Sequence, residues 1–195
     1  MNRSYILITL WLTLLSCQQK PTLSDADGNV YASKKFGKTL WMTENLRVTH
    51  DRSGAEISYF FPNEDSINVA AYGLFYDYET ACKVCPDGWK LPSNQDWEAL
   101  LSHFSWDASV LKDTGFWDKE SNTNTSSFSA RPAGYGNTEH PNKFQHSGIF
   151  WSSTREDDHF IWTYIFEEAR DSVRTASQHP TYGFSVRCIK ESAEK

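Results

Sequence analysis

The stretch from Cys85 to Leu101 constrains this chain more than any other. A cysteine leads into the turn Pro86-Asp87-Gly88, a short apolar segment with Trp89 and Leu91 follows, and Pro92-Ser93 then opens a helix. Ser93 is placed to cap the first turn, and Asp96, three residues on, to answer it as the second half of a capping box. Trp97, Leu100, Leu101 and Phe104 fall at i, i+3, i+4 and i+7, which puts them on one helical face and makes the helix a packing element.

At 195 residues, 39% hydrophobic and 15% aromatic, the chain has material for one domain with a sizeable core. Its rings exceed what a minimal core needs, so they divide between the interior and surface grooves. The net charge of −6 and the lack of a dense Lys/Arg run argue against a nucleic-acid partner.

Residues 1–16 read as a signal peptide: Arg3 precedes the apolar run Tyr5 to Leu15, which is too short to span a bilayer. Leu14-Leu15-Ser16-Cys17 is similar to the lipobox of bacterial lipoproteins, which makes Cys17 the expected lipidation site and the membrane the expected partner. Residues 17–24 then form a polar tether, 25–191 the domain and 192–195 a tail. The expected location is the cell envelope, at the outer membrane of a Gram-negative bacterium.

Cys82, Cys85 and Cys188 remain for the domain, so one is unpaired. A Cys85–Cys188 bridge is the favoured pairing; closing a loop of about a hundred residues is worth up to roughly 4.7 kcal/mol in the chain-entropy model. The rival is a local Cys82-x-x-Cys85 redox pair, but Pro86 stands where a haem-attachment motif needs His, and no thioredoxin-like βαβ pattern surrounds it.

Asp25 to Asn29 reads as a turn entering a strand at Val30-Tyr31, and 29–46 as an antiparallel hairpin turning at Gly37-Lys38. The first of these fails as a calcium loop, because its glycine is fourth instead of sixth and Phe36 stands twelfth. Residues 47–74 are irregular, 77–82 a short helix and 120–127 an exposed loop. Short strands follow at 128–136, 148–154, 160–166, 172–176 and 182–189. In the last, Phe184, Val186 and Cys188 alternate with Ser185 and Arg187, which points the cysteine inward. The class is therefore α+β.

No nucleophile elbow, P-loop, dinucleotide fingerprint or H-E-x-x-H is present. His140 and His146 with Glu139 lack metal-ligand spacing, and neither a metal nor a cofactor is expected. Asp157, Asp158, Glu167 and Glu168 are carboxylates next to turns and read as solvated in preference to an acid/base pair. The candidate ligand surface runs from Arg155 to His179. There Arg155, Asp158, His159, Trp162, Tyr164, Arg170, Arg174 and His179 mix rings for stacking with hydrogen-bonding groups.

Six separated motifs carry a resemblance: Asp25 to Tyr31, Trp41 to Leu46, Cys85 to Ser93 with Trp97, Arg131 to Tyr135, Phe150 to Thr154 and Tyr182 to Cys188. In that order they resemble the Fibrobacter succinogenes major paralogous domain family. The resemblance implies a secreted or lipid-anchored bacterial envelope protein with a fold similar to C-type lectins and formylglycine-generating enzymes: two short helices, a small twisted antiparallel sheet and long loops. Where that family usually has His after Gly-Trp, this chain has Lys90. The Glu-Pro-Asn-like and Trp-Asn-Asp-like calcium motifs of C-type lectins are not found, and Cys188 has no neighbouring cysteine for a copper pair. The expected function is a non-catalytic recognition or adhesion module for glycan or protein ligands. An oxidase of the formylglycine-generating branch, or a hydrolase, is the alternative.

Overall fold

A computed structural model describes residues 23–136 and 143–191. Cys17, Glu139 and His140 lie outside the described residues. The chain is α+β, with antiparallel and mixed sheets and few, mostly short helices.

The first strands, β1 (Leu23–Ser24) and β2 (Val30–Tyr31), pair across the Asp25 turn. The Asp25 carboxylate makes that turn by accepting from the Asp27 and Asn29 amides at 3.0 and 2.9 Å, while Gly28 takes φ +79°. The fold thus begins inside the segment read as tether: Leu23 is buried against the core and draws β1 with it.

Next come β3 (Ser33–Phe36) and β4 (Thr39–Met42), the expected hairpin about Gly37-Lys38. β4 also pairs with the last strand, β10 (Ile189–Glu191), so the two ends of the domain close on each other. After irregular chain, α1 (Val69–Tyr72), β5 (Phe75–Tyr76) and α2 (Tyr78–Ala81) follow, the last capped by Asp77 through the Thr80 amide at 2.8 Å. The second half contains α3 (Asn94–His103), β6 (Ser147–Arg155), β7 (Ile161–Glu167), β8 (Arg174–Gln178) and β9 (Phe184–Ser185). The main sheet runs β5-β9-β6-β7-β8, antiparallel except for β9 beside β6.

α3 starts as the sequence requires. The Ser93 hydroxyl accepts from the Asp96 amide at 3.3 Å, and the Asp96 carboxylate accepts from the Ser93 amide at 2.9 Å. Trp97, Leu100 and Leu101 are buried, whereas Phe104 is half-buried at the C-cap. Trp97 stacks on Tyr164 of β7 at 4.9 Å and meets Trp41 of β4 edge-on at 4.8 Å. Burial of a ring this large stabilises a domain by about 3–5 kcal/mol. The capping box adds less. Ser93→Ala is expected to lower stability by about 1 kcal/mol, read as a shift of the urea midpoint; an unmoved midpoint would mean that packing of Trp97 alone fixes the helix.

The main sheet is covered on both sides. Ile149, Trp151, Ile161, Ile165 and Phe184 face a core shared with Tyr76 and Val186, while Phe150, Tyr164 and Phe166 face the α3 core around Phe128. Most of the surplus rings are therefore interior.

Three expectations are corrected. Residues 128–136 form isolated bridges at Ala130, Gly134 and Gly136 and no strand, because Pro132 and the left-handed Ser129 (φ 58°) interrupt any ladder. The 120–127 loop is not wholly exposed, since Asn122 and Ser126 are buried in it. Arg187, expected on an outward face, is 1% exposed, because the chain leaves the ladder between β9 and β10 and both sides of it are covered.

Candidate functional site

Cys85 and Cys188 form the disulfide, with Cα atoms 5.7 Å apart, and Cys82 keeps a free thiol. That removes the Cys82-x-x-Cys85 redox pair. Burial pushes the Cys82 thiol up, away from the reactive thiolate range.

The residues expected to form one ligand surface are distributed over three places. At one end of the β6–β7–β8 ladder lie Arg155, Asp158, His159 and His179. Arg155 sits 5.0 Å over the Tyr78 ring, and Asp158 and His159 are exposed in a turn that Asp157 closes by accepting from the His159 and Phe160 amides at 2.7 and 2.8 Å. The His179 ring bonds to the Thr181 hydroxyl at 2.8 Å and meets Phe160 edge-on. At the other end lie Arg170 and Arg174, both paired to Glu167. Between them, Trp162 and Tyr164 share strand parity with Phe166, on the opposite face from Arg174, and Tyr164 is 1% exposed in the α3 core. His146 is exposed next to β6.

The face that carries Arg174 holds a better-formed site. Register places Ile165 opposite Arg174 and Ile161 opposite Gln178 on one side, and Ile149 opposite Ile165 on the other. Ser147, Ile149, Ile165, Glu167, Arg174 and Gln178 therefore share a face. Together with Tyr135, Lys143, Tyr182 and Phe184 they line a groove of about 170 Å³.

Two glycines set its aromatic wall. Gly136 and Gly183 exchange backbone hydrogen bonds, each 2.8 Å, with Phe60 packed so closely that a Cβ on either would lie 2.5 Å from that side chain. This joins two segments distant in sequence and brings the Tyr135 ring to 6.1 Å from both Tyr182 and Phe184, with Tyr182 stacked on Phe184.

The polar end is built around Glu167. Arg170 Nε donates to it at 2.9 Å, and Arg174 donates through Nε and Nη2 at 3.3 Å each. The Arg174 hydrogen bond, against opposition from partial burial, holds the Glu167 carboxyl below its usual range, with help from the nearby Arg170 and Lys143 charges. The turn beneath is fixed from behind: buried Lys112 donates to the Glu167 and Arg170 carbonyls at 2.7 and 2.8 Å.

A second and larger groove, of about 570 Å³, is lined by Thr49, His50, Glu56, Ile57, Ser58, Tyr59 and Phe60. His50 pairs with Asp27 at 2.7 Å there, but Asp27 is also tied to the Thr49 amide and hydroxyl, which makes it a loop fastener. Among the described residues no group of three or more His, Cys, Asp or Glu is placed to hold a metal ion. None of the described helices is long and apolar enough to cross a membrane.

Of the groove residues, only Arg174 belongs to the surface expected from sequence. The sequence pattern reads Glu167 as a solvated carboxylate and does not single out Tyr135, Lys143, Gln178 or Tyr182 as site residues. The period-2 parity of β7 and β8 was enough to find Glu167 and Gln178. No local signal joins Tyr135 to Tyr182.

The chain is thus an α+β domain closed by one disulfide across its second half, with a small aromatic and charged groove over its main sheet. The chain belongs to the Fibrobacter succinogenes major domain family, whose model matches residues 35–190. No curated protein and no solved structure matches it.

Proposed function

We propose that this protein is a lipid-anchored recognition module of the cell envelope, without catalytic activity, that holds a small polar unit of a glycan or protein ligand in the groove over β6, β7 and β8. The observation that carries the reading is the convergence of Tyr135 and Tyr182 with the Glu167–Arg174 pair and Gln178 on one open concavity. Rings that stack and fixed groups that hydrogen-bond are what small-ligand recognition requires. Among the described residues the groove is lined by rings, amides and charged groups, with no histidine or cysteine.

A C-type-lectin-like fold is consistent with the closure of β4 on β10, the ten-residue helix α3 and the long irregular connections. A disulfide of this kind forms and persists in an oxidising compartment. Together with the lipobox-like Leu14-Leu15-Ser16-Cys17, that supports placement on the envelope, held by lipid on Cys17.

The test uses the full chain extracted from membranes. Mass spectrometry should find diacylglycerol on Cys17, and glycan and peptide arrays should return a ligand whose binding falls at least about tenfold in Tyr182→Ala, the equivalent of 1.4 kcal/mol. An unmodified Cys17 overturns the anchor. A ligand indifferent to both Tyr182→Ala and Tyr135→Ala overturns the groove.

A further inference from the structure

We propose that the unit held in the groove is an acidic saccharide, a sugar ring bearing a carboxylate, with Arg174 and Lys143 as the carboxylate's partners. The assignment rests on the groove being the binding site.

The charge count around the groove is unbalanced. Among the described residues Glu167 is the one carboxylate in its lining, and it is served by both Arg170 and Arg174. Lys143 lines the same concavity and forms no ion pair among the described residues. Among the described residues, three cations against one anion leave a local excess of two positive charges on a chain whose net charge is −6. The other charges at this turn are committed to the opposite side: Lys112 to the Glu167 and Arg170 carbonyls, Glu168 to the Lys119 amide at 2.8 Å, and Asp171 to the Lys119 ammonium. Local potential of one sign in a cleft selects a ligand of the other.

Arg174 is also the group most easily recruited. Its bonds to Glu167 are 3.3 Å, longer than the roughly 2.7–2.9 Å of a tight charge-assisted pair, whereas Arg170 holds Glu167 at 2.9 Å. An incoming carboxylate that takes the Arg174 fork leaves Glu167 still paired, so neither charge is stranded. The size of the site selects a single ring. A volume of about 170 Å³ lies below the roughly 300 Å³ where pockets for drug-sized ligands begin. Tyr135 and Tyr182 offer aromatic surface for a pyranose face, and the Gln178 amide can both donate to and accept from hydroxyls. β8 is an edge strand of the sheet, but a peptide strand added there would lie beside β8 in the plane of the sheet and not over the face that Tyr135, Tyr182 and Glu167 line, so an acidic peptide is disfavoured.

The test is isothermal titration of the full chain with trigalacturonate and with its fully methyl-esterified counterpart, which keeps the rings and removes the charge. Glucuronate trimers and sialyllactose are titrated beside lactose to widen the acid class. Binding of an acid probe at least about tenfold tighter than its neutral partner is expected, with a ratio that shrinks as salt rises. The ratio should fall to near one in Lys143→Gln/Arg174→Gln, and Arg174→Lys should restore part of it; circular dichroism confirms that the variants fold. Equal binding of acid and neutral probes, both weakened by Tyr182→Ala, overturns the acidic ligand and leaves the groove standing. An acid preference that survives Lys143→Gln/Arg174→Gln places the carboxylate elsewhere and overturns the assignment. If the acid probes do not bind while neutral array sugars bind through Tyr182, the inference alone falls. If no saccharide and no peptide binds through Tyr182, the groove reading falls with it.

Discussion

Cys85→Ala/Cys188→Ala is expected to lose about 4–5 kcal/mol of stability, because the bridge joins positions 103 apart and a loop of that length removes the most entropy from the unfolded chain. For a domain of this size the midpoint of thermal unfolding should fall by roughly 10–15 °C, at about 2–4 °C per kcal/mol. The position of the two cysteines makes the loss cooperative. Cys85 precedes the turn that delivers α3, and Cys188 precedes β10, which closes on β4. Lys90 and Ile189 exchange backbone hydrogen bonds at 2.9 and 2.8 Å just beyond the bridge, so the same junction is held twice. The measurement is differential scanning calorimetry of the double variant, compared with Cys82→Ala, which should change the midpoint little. A loss under about 1 kcal/mol for the double variant would mean that the denatured chain is already compact around this junction.

What was legible in the sequence was local. The Ser93–Asp96 box, the short helix after Asp77 and the Gly37-Lys38 hairpin are each written within a few residues, and each formed as read. The Cys85–Cys188 pairing was legible because the long loop it closes favours it, the local Cys82-x-x-Cys85 rival lacks its motif, and the inward reading of Cys188 agrees with it. What was not legible came from junctions between remote segments. Tyr135 meets Tyr182 only because Gly136 and Gly183 can approach Phe60 closely, and a glycine's steric freedom does not name its neighbour. The expected ligand surface combined Trp162 and Tyr164, which share one parity of β7, with Arg174, which lies on the opposite face; a sheet covered on both faces sends Tyr164 into one core while Glu167 and Arg174 go to the groove. Strand alternation also failed at Arg187, where it assumed a continuous ladder and one solvent face.

Arg187→Met is expected to cost about 3–5 kcal/mol, because it strands several buried acceptors at about 1–3 kcal/mol each. The guanidinium is buried with no carboxylate of the described residues bonded to it; burial pushes it down from its ordinary range, and four oxygens hold it instead. Nε donates to Asn45 Oδ1 at 2.6 Å, Nη1 to the Met42 and Phe128 carbonyls at 3.1 and 2.8 Å, and Nη2 to the Ser129 carbonyl at 2.7 Å, while the Phe128 ring lies 4.9 Å from its centre. These partners come from the end of β4, the chain just after it and the 128–129 segment. One side chain thus supplies donors for parts of the fold that share no ladder. Methionine refills the volume but leaves those acceptors unpaired, and each buried unmade bond costs about 1–3 kcal/mol. Arg187→Lys keeps the charge yet presents its donors from a single atom instead of a planar fork, so an intermediate loss is expected. Urea unfolding reads both variants, and a cycle with Asn45→Ala should show a coupling of about 0.5–3 kcal/mol. If Arg187→Met instead proves neutral, water reaches these oxygens and the 128–129 segment is held by the Phe128 ring alone; a large loss with strong coupling means that this guanidinium, more than any strand pairing, joins the second half of the domain to its N-terminal hairpin.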